Sequence, residues 1–525
     1  MKKNILILCG LALSISFTSA QKVAPQNWFN LDLKKDKVPG VSSERAYTEL
    51  LANKQSTTVV VAVIDGGTEV DHEDLKDVIW TNTNEIPGNN IDDDKNGYID
   101  DIHGWNFIGG KTEDVNADNL ELSRVYKQLS DKFEKGDAPK SGPEFEFYKK
   151  VKADYEGRLN NAKRMSAIYS AIDADMVNIA KQIGNENPTV DQLKKYTAKS
   201  ETEKIALGLL TNAAKNKVSV ADMRAQIKKG SEYFNTQLTV HLNTELNTRT
   251  IVGDHYEDLL EKYYGNNHYE GPSGDHGTHV AGIIAATRTN TIGIMGVSNN
   301  VKIMVVRVVP DGDERDKDIA NAIRYAVDNG AKIINMSFGK SYSPYKTAVD
   351  DAVRYAVSKN VLLVHAAGND NKNTDTTNNF PRDTYSNSTE IASSWLEIGA
   401  SSWKKGKDIP AEFSNYGKQN VDVFAPGVDI YSTIPDSKYA SFNGTSMAAP
   451  VTAGVAALVW SYYPTLTANQ LKEIILQSSI KVKGKVYIPS DDKKKKKVAM
   501  TELCQTGGIV NAYEAVKLAE IVTKK

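Results

Sequence analysis

Thr58-Val59-Val60-Val61-Ala62-Val63-Ile64, running into Asp65-Gly66-Gly67, is the stretch that decides the fold. A continuous β-branched run has no polar face, so it suits a strand covered on both sides, as in a parallel sheet. Comparable runs recur at 301–309, 331–336, 361–367 and 421–424, with helical patterns at 318–329 and 345–359 between them. Strands alternating with helices predict an α/β fold with a mainly parallel sheet. Upstream, Ser42-Ser43-Glu44-Arg45 offers N-cap material for a helix over 42–54.

Residues 112–265 interrupt this alternation with long helical patterns. Leu122, Val125, Tyr126, Leu129 and Phe133 share one helix face, and Phe147, Val151, Tyr155 and Leu159 continue at spacing four. Breaks are expected at 136–139, 184–188 and Gly230. At the N-terminus, Lys2 and Lys3 precede a short apolar run that ends in Thr18-Ser19-Ala20, the pattern of a secretory signal peptide. The chain is thus read as a leader (1–20), an N-terminal extension (21–57), a first part of the α/β domain (58–111), a helical insertion (112–265) and a second part of the domain (266–525).

Composition narrows the functions. Lys+Arg is 64 against Asp+Glu 66, so no basic excess exists to neutralise a nucleic-acid backbone. No later stretch is apolar enough for stable membrane insertion, and the leader points to an exported protein, periplasmic or secreted. The two cysteines are Cys9 and Cys504; loss of Cys9 with the leader leaves no internal disulfide and no Cys-rich zinc site.

Three segments carry chemistry. Asp65 ends the first buried strand, Asp275-His276-Gly277-Thr278-His279-Val280-Ala281-Gly282 opens a helix, and Asn443-Gly444-Thr445-Ser446-Met447-Ala448-Ala449-Pro450 opens another. Strand ends and helix starts line the crevice where α/β proteins place active sites. A serine hydroxyl needs an imidazole to take its proton and a carboxylate to orient that imidazole.

On these segments, in the order Asp, His, Ser, the chain resembles the subtilisin-like serine proteases (subtilases); that order is a known family example. The resemblance covers roughly 58–110 and 270–480, with a final helix near 508–512, but not 112–265. It implies a three-layer α/β domain and an exported serine endopeptidase acting on a polypeptide substrate through an acyl-enzyme. It assigns Asp65, His276 and Ser446 to the triad, His279 to a structural role and Asn369, in Val364-His365-Ala366-Ala367-Gly368-Asn369-Asp370, to the oxyanion hole. Ser337, Phe338 and Gly339 would pair with substrate, and with Ala366, Ala367 and Gly368 would wall the primary specificity pocket. Small walls leave room for a large apolar side chain, while Asp370 at the rim would attract a basic one; both remain open. Gly66 departs from the Ser or Thr usual after the aspartate. Residues 21–57 are short for a prodomain, so the insertion is expected to serve partly as a folding aid or lid. Deleting it without loss of folding or activity would refute that expectation.

Calcium is the expected cofactor. Asp92, Asp94 and Asn96 at alternate positions, with Gly97 sixth, match the first half of an EF-hand-type loop. The twelfth position is His103, so Asp100 or Asp101 must complete the set. The resemblance adds a second site at Asp74 and Asn290 with carbonyls near Ile292 and Ile294. Two other functions are weighed: a catalytically silent binding factor, and a metal-dependent hydrolase using His276 and His279, which lacks the glutamate of an HEXXH motif. No G-x-S-x-G elbow surrounds Ser446, which disfavours an esterase.

Overall fold

A computed structural model describes residues 24–492 and 495–524; the expected leader lies outside them. The described chain forms two units, one of residues 122–246 and one of 24–121 with 247–524. Residues 112–121 and 247–265, read in the sequence as insertion, thus group with the α/β unit. Val115, Val252 and Tyr264 are buried in its core, and Arg249 bonds Asp318 at 2.7 Å.

The α/β unit is built on a nine-stranded sheet. Its strands are β1 (Val59–Asp65), β2 (Gly104–Asn106), β3 (Val301–Arg307), β4 (Ile333–Met336), β5 (Leu362–Ala366), β6 (Trp395–Ser401), β7 (Val423–Pro426), and two short strands, β10 (Ile480–Lys481) and β13 (Gly508–Ile509). Hairpins β8 (Ile430–Ile434) with β9 (Lys438–Phe442) and β11 (Lys485–Tyr487) with β12 (Lys497–Ala499) stand apart. The order is β10-β13-β7-β6-β5-β4-β1-β3-β2, parallel throughout except for the β10–β13 pair. Strand β1 lies between β3 and β4, with Asp65 opposite Arg307.

Alternation along β1 explains why its Val59–Ile64 stretch is wholly apolar. Val59, Val61 and Val63 enter one core with residues of helices α1 (Asp275–Ala285), α4 (Thr445–Tyr462), α5 (Ala468–Ser478) and α6 (Ala512–Thr523). Ala62 and Ile64 enter the other with residues of α2 (Asp316–Asp328) and α3 (Lys346–Ser358). Each such buried Val or Ile is worth about 1.5–3 kcal/mol of transfer free energy. The strand β6 was not expected: Glu397 and Gly399 interrupt its apolar run.

The N-terminal extension belongs to this core. Trp28 and Phe29 are fully buried, and the Trp28 indole donates to the Val428 carbonyl at 3.1 Å. The helix expected over 42–54 is shorter, a turn at Ser43–Ala46 that widens into a π-turn over Tyr47–Leu51. Cys504 is buried and free.

In the other unit, helices span Pro143–Ile183, Glu201–Lys215 and Val220–Thr236 around a core that includes Ile172, Met176, Leu209, Leu210, Met223 and Ile227. Tyr148, Val151 and Tyr155 are buried, but Phe147 is exposed. A strict spacing of four drifts about 40° per step around a helix of 3.6 residues per turn, so a row that stays on the core at Val151 and Tyr155 leaves it at Phe147. Gly230 is not a break. It lies inside its helix, where a Cβ would stand 2.3 Å from the Tyr169 ring.

Candidate active site

Asp65 ends β1, and its carbonyl accepts from Val308 N at 2.9 Å, tying the strand end to the segment after β3. Gly67 has φ +115°, and a Cβ there would lie 1.9 Å from the Glu270 carbonyl, so the turn demands glycine. His276 sits in the first turn of α1, and its Nδ1 lies 2.7 Å from Asp65 Oδ1 across 211 residues of sequence. A carboxylate only accepts, so Nδ1 carries the proton and Nε2 keeps its lone pair. Burial opposes the imidazolium, but Asp65 outweighs it and raises the His276 pKa above the usual histidine value. Gly66 N donates to Asp65 Oδ1 at 2.7 Å, whereas Asp65 Oδ2 is buried with no hydrogen-bond partner in the described protein. The hydroxyl missing at position 66 is therefore not replaced there by another side chain.

Ser446 lies in the first turn of α4. Its Oγ donates to the Ser337 carbonyl at 3.0 Å, and Ser337 Oγ donates to the Ser446 carbonyl at 2.8 Å. Asn369 Oδ1 accepts from Thr445 N at 2.8 Å and from Thr445 Oγ1 at 3.0 Å. That leaves the Asn369 NH2 as the donor end. A Cβ placed on Gly444 would stand 3.5 Å from Ser446 N and 3.6 Å from Asn369 Nδ2, so two donors flank one point beside the serine. Glycine at 444 keeps that point open.

Asp65, His276, Asn369 and Ser446 line one cleft of about 490 Å³. Ser337, Phe338, Gly339, Ala366 and Gly368 line it too, but Ala367 does not. Its side chain packs with Val421 and Phe424 behind the wall, because alternate residues of an extended segment face opposite ways. Asn379 was missed by sequence reasoning; it lines the cleft and donates to the Ala366 carbonyl at 3.1 Å. Asp311, Glu314 and Asp370 also line it, with no Lys or Arg among the lining residues.

His279 is fully buried. Its Nε2 lies 3.0 Å from the Ile430 carbonyl and 3.1 Å from that of Ala440, and its ring stacks on Phe442 at 4.3 Å. Burial pushes its pKa down to about 3, so it stays neutral. Both carbonyls engage Nε2, while Nδ1 is buried with no hydrogen-bond partner among the described residues.

In the acidic loop, Asp92 and Asp94 are joined by Glu85, one carboxylate oxygen from each lying within 4.8 Å of the others. Asp100, expected to complete the set, accepts from Gly88 N at 2.8 Å and Asn90 N at 2.9 Å. Asn96 Oδ1 accepts from Tyr98 N at 2.8 Å. Asp101 is buried, which raises its pKa to about 6, and it accepts from Tyr325 at 2.6 Å. Glu85 precedes the loop, so its part was visible only after folding. At the second expected site, Asn290 Nδ2 donates to Asp74 Oδ1 at 2.7 Å and Ile294 N to Asp74 Oδ2 at 3.2 Å.

The subtilase family model matches residues 56–507, and the chain belongs to that family. A thermophilic serine proteinase of Bacillus sp. (strain AK1) is 41% identical over 40% of this chain and 48% of its own length. Thermitase of Thermoactinomyces vulgaris is 36% identical over 51% of this chain and 86% of its own. Among solved structures, a protease from Pseudoalteromonas arctica PAMC 21717 aligns over 46% of this chain and 70% of its own, at 31% identity and a TM-score of 0.39. The match thus spans about half the length of the Bacillus sp. proteinase.

Proposed function

We propose that the chain is an exported serine endopeptidase that hydrolyses peptide bonds of a polypeptide substrate through an acyl-enzyme. The observation that carries this is the 2.7 Å contact of His276 Nδ1 with Asp65 Oδ1, in a cleft also lined by Ser446 and Asn369. Asp65 fixes the imidazole tautomer and stabilises the imidazolium. His276 Nε2 takes the proton of Ser446 Oγ as that oxygen attacks the scissile carbonyl, and returns it to the leaving amine. Asn369 Nδ2 and Ser446 N stabilise the oxyanion, each such donor being worth about 10²–10³ in turnover. Water then attacks the acyl carbon with His276 again as base, and Ser446 is released. To react, Ser446 Oγ exchanges the Ser337 carbonyl for His276 Nε2; such hydrogen bonds commonly tighten only with substrate bound. Ser337–Gly339 pair with the substrate main chain. The test is cleavage of a mixed peptide library by wild type and by Ser446→Ala. Cleavage lost in the variant supports the reading, and equal cleavage defeats it.

Calcium is proposed as a structural cofactor. Glu85, Asp92 and Asp94 supply the hard oxygen donors that calcium prefers, and Asp74 with Asn290 supplies a second set. A cation held there would cross-link the loop to its neighbours in the folded state alone. Saturation at about 100 times Kd would add about 2.7 kcal/mol. Calorimetry with and without chelator reads this as a lower melting temperature without calcium; an unchanged temperature removes both sites.

A further inference from the structure

We propose that Asn415 is a positioning residue for the oxyanion hole, an assignment that rests on the serine-peptidase reading above. Asn415 lies between β6 and β7, is only 4% exposed, and reaches the turn that carries Asn369 from both sides. Its Nδ2 donates to the Ala367 carbonyl at 2.8 Å. Its Oδ1 accepts from Asp370 N at 3.1 Å and from Lys372 N at 2.9 Å. Its main-chain N donates to the Gly368 carbonyl at 2.8 Å. Four hydrogen bonds thus hold residues 367, 368, 370 and 372 around the residue between them.

Asparagine suits this position because one planar amide presents a donor to one strand of the turn and an acceptor to the other. Aspartate keeps the acceptor but sets an oxygen against the Ala367 carbonyl. Alanine loses all three side-chain bonds. Gly368 belongs to the same device: it has φ +101°, and a Cβ on it would stand 2.4 Å from Asn415 Nδ2. The glycine before Asn369 therefore leaves room for the amide that fixes the turn. Thr445 holds the Asn369 side chain, whereas Asn415 holds the backbone on either side of Asn369, and both are needed to aim Nδ2 at a developing charge. A displacement of about 1 Å at such a donor costs on the order of 10² in rate.

The test uses the full chain and two readouts. Hydrogen exchange of the 367–372 segment is measured in wild type, Asn415→Asp and Asn415→Ala, with α4 amides as an internal reference. The clamp requires faster exchange in that segment, by about tenfold or more in Asn415→Ala, with α4 unchanged. Peptide hydrolysis is measured in the same proteins, in Asn369→Ala and in the double variant Asn369→Ala/Asn415→Asp. The expected result is a kcat lower by about 10–100-fold in Asn415→Asp with KM within twofold, and a double variant no slower than Asn369→Ala. Unchanged exchange, an effect confined to KM, or independent multiplication of the two losses would overturn the proposal. A wild type that cleaves no peptide would defeat the peptidase reading, and the exchange measurement would still decide whether Asn415 holds the turn.

Discussion

The two units differ in how they use charged groups. Both carry exposed charge pairs, but in the α/β unit several charged side chains are also buried and tied to more than one partner. Lys340, unexposed, bonds Glu121 and Asp316, each at 2.8 Å, and Arg307 bonds the Gly66 carbonyl at 2.9 Å beside the Asp65 strand end. In the helical unit, charge pairs sit outside: Lys194 with Asp191, Lys204 with Glu201, Arg158 with Asp154. Buried polar groups are costly unless fully partnered, and they fix geometry; exposed pairs fix little. The difference teaches where precision is required. A triad drawn from three distant segments needs a rigid frame, whereas the helical unit rests mainly on an apolar core, with a few buried hydrogen bonds such as Tyr155 Oη to the Leu242 carbonyl at 2.8 Å.

The largest effect expected from this contrast is on rate. Replacing His276 with Ala should lower kcat by about 10⁴–10⁶, whereas Arg158→Ala in the helical unit should leave kcat/KM within about twofold; steady-state peptide hydrolysis compares them. Similar losses from both would break the comparison.

Stability should divide the same way. Lys340→Met leaves Glu121 and Asp316 facing each other without their cation and should cost about 3–5 kcal/mol. Arg224→Ala, which removes a half-exposed pair with Asp173, should cost under about 1 kcal/mol. Urea unfolding of both variants sharpens the contrast, and comparable midpoints would contradict it.

A smaller effect is expected with pH. His279, held by burial at about 3, takes up a proton in the unfolded chain near 6.5, so its contribution is full above about 6.5 and is lost as pH falls toward 3. Asp101 and Asp422, raised by burial to about 6, act oppositely: their contribution is full below the ordinary carboxyl range and is lost as pH rises through 6. Two raised carboxyls outweigh one depressed imidazole, so from these three groups wild-type stability should fall as pH rises from 4 to 6. In His279→Gln the opposing imidazole contribution is gone, so the fall with rising pH should be about twice as steep as in wild type; urea midpoints at several pH values check the slope, and equal slopes would contradict it.

Legibility in the sequence followed the same division. The buried strands were readable because covering both faces removes every polar residue, and β6 was hidden because Glu397 is buried as a partner of His365, at 2.9 Å. Asp65, His276, Ser446 and Asn369 stood out because their chemistry tolerates few residue types. Asn415, Asn379 and Glu85 did not, since an isolated amide or carboxylate carries no sign of the backbone or neighbour it will meet after folding. Ala367 was misplaced for a related reason: a small residue in a motif does not say which side of the chain its side chain will take. In the helical unit, Val151 and Tyr155 face the core as the spacing implied, but one turn earlier the buried residue is Tyr148 rather than Phe147.

The most direct test of the catalytic account is active-site labelling with a serine-directed phosphonate probe, followed by peptide mapping, in wild type, His276→Ala and Ser446→Ala. The account predicts a single adduct on Ser446 in wild type, labelling slowed by orders of magnitude in His276→Ala, and none in Ser446→Ala of unchanged melting temperature. An adduct on another residue, or labelling that does not depend on His276, would contradict it.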